Sequence, residues 1–193
     1  MDKIWRTLAV TLSLSVAACT GCNGSNGENG GENGGENGGN PSQDKIVCTG
    51  TYSGAATGKI SFCSLSALKT SDGSIQYTLS LEPDTSGTVQ STTNLELIGK
   101  GDPKKGAITL ETFSDAVGQV TVKGDKDYHV LRSNGTQDGN VSLTIDTVPA
   151  SQDLTGGNYK YENFVGKAEI RYVAPPGSSY SDSVTLSVSF QKQ

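Results

Sequence analysis

From residue 45 onward, apolar and polar side chains alternate in short runs separated by Gly, Asp, Asn and Pro. The clearest run is Ile75-Gln76-Tyr77-Thr78-Leu79-Ser80-Leu81, apolar at every odd position. Ile108/Leu110, Val120/Val122, Val141/Leu143/Ile145, Ala168/Ile170/Tyr172 and Val184/Leu186/Val188/Phe190 repeat the pattern. Period-two alternation places one face of a strand against a core and the other in water. With further runs at 46–53, 59–66, 93–98 and 127–132, the pattern predicts about ten strands. It predicts no helix: the nearest candidate, 64–70, is too short. The expected fold class is all-β, an antiparallel β-sandwich of about 8–10 strands, with a closed β-barrel as the alternative. Residues 44–193 form this domain, long enough to bury a core of its own.

The first 43 residues follow different rules. Lys3 and Arg6 precede about twelve mostly apolar residues, Thr7 to Ala18. A helix needs about 20 residues to cross a bilayer core, so this run is too short for an anchor and reads as a signal peptide, residues 1–18. It ends in Val16-Ala17-Ala18-Cys19. This tetrapeptide resembles the lipobox of bacterial lipoproteins, with a branched apolar residue, two small residues and then cysteine. The resemblance implies lipid transfer to the Cys19 thiol, cleavage before Cys19, and a membrane partner reached through the lipid anchor. Two or three acyl chains hold a protein far more firmly than one. Thr20, where retention in the inner membrane usually goes with aspartate, implies an outer-membrane location in the cell envelope.

Residues 19–43 continue with three copies of Glu-Asn-Gly-Gly, starting at Glu28, Glu32 and Glu36. With no apolar side chain to bury and a high entropic cost of ordering glycine, this stretch is expected to be a disordered tether. Its ends would stand about 25–30 Å apart as a coil. The regularly spaced glutamates do not match a calcium loop.

There are four cysteines. Cys48 and Cys63 flank a turn candidate at 53–58, and a hairpin reversing between Ala55 and Ala56 puts them opposite each other, at the separation a disulfide needs. An oxidising periplasm favours that bond. With Cys19 lipidated, Cys22 is left over as a candidate for pairing between two copies of the chain.

Candidate chemistry is sparse. The chain carries a net charge of −5, and only Lys104-Lys105 stand together, in a turn-like Asp-Pro-Lys-Lys-Gly stretch, so no nucleic-acid partner is expected. His129 is the only histidine, which with the cysteine spacing gives no zinc site, no metal and no cofactor. Ser66-Ala67-Leu68-Lys69 has a Ser-x-x-Lys spacing but lacks the companion motifs of serine enzymes. Asp125 and Asp127 fall in a hairpin turn between Val122 and Val130. The only tryptophan, Trp5, lies in the signal peptide. Four aromatics, Tyr159, Tyr161, Phe164 and Tyr172, cluster as a candidate contact patch, half of them core by alternation. The expected function is therefore not enzymatic: a structural, adhesive or partner-binding module, with other envelope proteins as candidate partners. The alternative is a lipocalin-like barrel that carries a small apolar ligand.

Overall fold

A computed structural model describes residues 46–193. The signal peptide, Cys19, Cys22 and the tether lie outside the described residues.

Fourteen strands follow one another along the described residues. They are β1 (Ile46–Gly54), β2 (Gly58–Lys69), β3 (Ser74–Pro83), β4 (Val89–Thr92), β5 (Leu95–Lys100), β6 (Gly106–Thr109), β7 (Asp115–Val122), β8 (Lys126–Ser133), β9 (Thr136–Asp138), β10 (Asn140–Thr147), β11 (Ser151–Leu154), β12 (Asn158–Glu162), β13 (Val165–Val173) and β14 (Ser183–Lys192). All the pairings are antiparallel. The expected runs are all strands, except that Leu110 opens a three-residue 3-10 turn after β6 instead of extending it. The stretch 64–70 is extended, inside and just past β2.

The sheet closes on itself, so of the two architectures expected it is the barrel that forms, not two separate sheets. Eight strands run β13-β14-β1-β2-β3-β5-β7-β8, and β8 returns to β13 through Val173 opposite His129. The first and last strands are neighbours over nine residue pairs, from Ile46 opposite Lys192 to Gly54 opposite Val184. The accumulated twist of a sheet this wide, helped by bulges, carries β8 round to β13. Strands β10 and β6 extend the sheet beyond β13 alongside the seam.

Alternation fills the interior. Val184, Leu186, Val188 and Phe190 of β14 are buried, as are Ile75, Tyr77, Leu79 and Leu81 of β3, within one continuous apolar core. Tyr172 and Phe164 belong to this core, at 0% and 1% exposure, which removes them from the expected contact patch. The inward face of β13 carries Tyr172, and the Phe164 ring packs at a tilt against Tyr77 and Tyr161, with centroids 6.0 and 6.5 Å away. Tyr159 and Tyr161 stay half-buried on β12.

The hydroxyls of Tyr52 and Tyr172 are buried without a hydrogen-bond partner among the described residues. Burial pushes the Tyr52 phenol up to about 12, and the Tyr172 phenol further. A buried unbonded hydroxyl costs stability. Tyr172→Phe is therefore expected to raise the unfolding free energy by about 1 kcal/mol, read from urea denaturation. A loss instead would show that a buried water bonds this hydroxyl.

Cys48 and Cys63 form a disulfide with a Cα separation of 5.7 Å. The register behind it differs from the simple hairpin. Thr51 pairs with Lys59 and Tyr52 with Gly58, so the chain reverses about Ala55, and an unbroken ladder would set Cys48 against Phe62. On its other side β2 pairs Ile60 with Pro83 and then Phe62 with Glu82, leaving Ser61 as an extra residue. That bulge advances β2 by one position and restores Cys63 to its place opposite Cys48.

Candidate functional site

Two concave regions stand out. The larger, about 820 Å³, is an open groove over the strands β10, β13, β14, β1 and the start of β2. Its exposed and half-exposed walls carry the hydroxyls of Thr49, Thr51, Ser142, Thr144, Ser187 and Ser189, with Lys59, Lys167 and Glu169 among them. Buried Ile60, Ala168 and Val188 also line it, and its three ionisable side chains are all exposed.

The smaller, about 280 Å³, lies at the end of the barrel where β3 begins and β5 ends. Its floor comes from alternation. Ile75 and Tyr77 point inward from β3, and Gly99 of β5 stands opposite Ile75. Gly99 lets the Phe113 ring approach closely: a Cβ there would meet Phe113 Cδ1 at 3.3 Å and Ile75 Cγ2 at 3.9 Å. Ala107 and Ile108 of β6 and the ring of Phe113 complete the apolar lining.

Phe113 is held in place from several sides. Its ring meets Tyr77 edge-on at 5.9 Å, its amide donates to Leu110 O at 3.2 Å, and Arg132 Nε donates to its carbonyl at 2.6 Å. Ser114, next in the chain, donates its amide to Ile98 O at 2.7 Å. The segment that crosses this end of the barrel is thus tied to β5 and β8 by backbone and guanidinium contacts.

The rim is cationic. Lys100, Lys104 and Lys105 line the cavity, all are exposed, and among the described residues none of the three makes an ion pair. The one carboxylate in the lining, Asp102, is bound by Lys69, which also lies over the Tyr159 ring at 5.9 Å. Three unpaired cations therefore gather on a chain whose net charge is −5. Inside the rim, the Tyr77 hydroxyl makes no hydrogen bond with the described residues. Burial, reinforced by Tyr161 and Asp102, pushes this phenol up to about 12, so at neutral pH it is a protonated donor.

The other sequence candidates have structural settings. His129 Nε2 lies 3.2 Å from Asp138 Oδ2, beside the seam where β8 meets β13. Asp125 occupies the β7–β8 turn at φ 54°, with Gly124 at φ 90° before it. Asp127 is fixed by Thr121 Oγ1, 2.7 Å from its carboxylate, and by Tyr180, whose hydroxyl accepts from its amide and donates to its carbonyl. Ser66 and Lys69 are three positions apart on one strand, so their side chains leave opposite faces and do not form a nucleophile and base pair. Among the described residues no three His, Cys, Asp or Glu side chains converge as metal ligands.

Lys104 and Lys105 read in sequence as solvated turn residues, and Ile75, Tyr77 and Gly99 as one more strand and a break in another. No local signal joined them, because the cavity forms only when residues 101–113 fold across β3 and β5. Compared with protein-family models, with curated proteins and with solved structures, the chain matches none of them.

Proposed function

We propose that the protein is a lipid-anchored component of a bacterial cell envelope, its address the outer membrane, and that its barrel is a non-catalytic module that binds a small apolar ligand. The observation that carries the binding reading is the cavity at the β3–β5 end, apolar below and cationic above. Ligand sites are typically concave and apolar with a few placed polar groups, and at about 280 Å³ this one suits a small molecule. The anchor reading is supported by Val16-Ala17-Ala18-Cys19 and by the glycine-rich stretch that follows.

A structural, adhesive or partner-binding role is the second reading. It is favoured by exposed apolar side chains on the outside of the sheet, Phe62 at 51% and Val117 at 52% exposure.

The anchor is tested by mass spectrometry of the amino-terminal peptide from membranes, where Cys19 is expected to carry acyl chains. Cys19→Ser should move the protein to the soluble fraction. An unmodified Cys19 in the wild-type protein would overturn the anchor. Binding is tested with octanol as a neutral apolar probe. Amide shifts should change at Ile75, Gly99 and Phe113, and an unchanged spectrum would remove the small-ligand reading.

A further inference from the structure

We infer that the β3–β5 cavity selects anionic amphiphiles, molecules with one short alkyl or aryl body and a single negative head. The inference rests on the small-ligand reading above and adds to it the charge and orientation of the ligand. The apolar body would lie on Ile75, Gly99 and Phe113, and the head would stand among Lys100, Lys104 and Lys105.

Three features of the site converge on this class. The rim cations have no protein carboxylate to satisfy them, because Asp102 is already taken by Lys69. Placed above an apolar floor, they favour an anion whose remainder avoids water. Tyr77 lines the same cavity, and its hydroxyl makes no hydrogen bond with the described residues, so a carboxylate oxygen of a ligand would satisfy it. Finally, Ile75, Gly99 and Phe113 supply an apolar floor on which an alkyl or aryl body can lie. A neutral apolar ligand uses only the last of these features, and a strongly hydrated inorganic anion only the first.

The test uses the full chain carrying Cys19→Ser, purified without detergent, titrated calorimetrically with octanoate, octanol and octylammonium. Octanoate is expected to bind about tenfold more tightly than octanol, since several partly screened charge contacts each contribute a fraction of a kcal/mol. Octylammonium should not bind. The octanoate preference should shrink as salt is added. Replacing Lys100, Lys104 and Lys105 together by Gln should remove the preference for octanoate while leaving octanol binding in place. Gly99→Val should weaken both ligands by about tenfold or more, because its side chain meets the Phe113 ring and disturbs the wall that ring forms. Thermal melts of the variants show whether each still folds, and Lys→Gln changes on the exposed rim are expected to leave stability unchanged.

Octanol bound as well as octanoate would overturn the anion selectivity and leave the small-ligand reading standing. Binding of neither would overturn both. Phosphatidylglycerol vesicles supply the last arm. Retention by these vesicles through the same lysines, with no binding of monomeric octanoate, would make the rim a membrane-surface contact and overturn the inference.

Discussion

Gly139→Ala is expected to open the barrel at its seam, with a loss of about 3 kcal/mol or more in unfolding free energy. Gly139 sits between β9 and β10 at φ +76°, a conformation that L side chains rarely adopt. A Cβ there would lie 2.4 Å from the carbonyl oxygen of Arg171, 3.2 Å from Val130 Cγ2 and 3.3 Å from the carbonyl oxygen of His129. Those three neighbours belong to β13 and β8, the strands that close the cylinder through one residue pair. The added methyl group meets backbone, not the end of a flexible side chain, so relief requires β13 and β8 to move apart. Beyond Val173 opposite His129, β8 is tied to the β13–β14 connection by Asp127 with Tyr180 and Tyr128 with Asp182, and β10 flanks the seam through its ladder with β13. Urea denaturation with circular dichroism gives the loss directly, and amide exchange at Val130, His129 and Val173 should accelerate first. A variant as stable as the parent would mean that the seam contributes little to the fold.

The second large effect concerns the disulfide. Replacing Cys48 and Cys63 together by alanine is expected to cost about 3 kcal/mol, the chain-entropy value for a loop of about 15 residues. The local structure gives this bond more to do than most hairpin disulfides. The registered ladder between β1 and β2 consists of Thr51 with Lys59 and Tyr52 with Gly58, so beyond those pairs the covalent link is what keeps the two strands together. Cys63 is also buried, with Leu81 as its partner on β3. Denaturation curves of the oxidised wild type, the reduced wild type and the double variant should place the last two together, well below the first. Coincidence of all three would show that the β1–β14 ladder alone holds the first strand.

Much of this architecture was legible in the chain. The period-two runs from Ile75 to Phe190 gave the strands and the faces that fill the core, because a one-residue slip would turn a whole apolar set into water. The short strands β4, β9 and β11 carried no such signal: Thr136–Asp138 is wholly polar, and it is a strand because the turn at Asn134 and Gly135 folds it onto β8. Alternation also could not choose between sandwich and barrel. It reports which face of each strand is dry, whereas closure depends on twist summed over eight strands and on a contact between residues 129 and 173. The pairing of Cys48 with Cys63 was readable from spacing, although the hairpin centre and the bulge at Ser61 each departed from the simple register and cancelled. The aromatic cluster divided as alternation required, with Tyr172 and Phe164 inside. The cavity was the least legible feature, since it joins β3 at Ile75 and Tyr77 to the run from Gly99 to Phe113, and no alternation marks that run as a wall.

The order of strands also decides how the domain bears load. Any pull on the chain from its amino-terminal side enters at Ile46, the outermost pair of the β1–β14 ladder, where tension acts on one rung at a time, as in opening a zipper. Peeling would pass Ile46 and Val47 and then reach Cys48, where the force crosses a covalent bond into β2. From there it spreads over the long ladder that β2 shares with β3. The six rungs from Thr49 to Gly54 and the cavity at the far end of β3 lie behind that crossing, so tension on the amino-terminal side would bypass both.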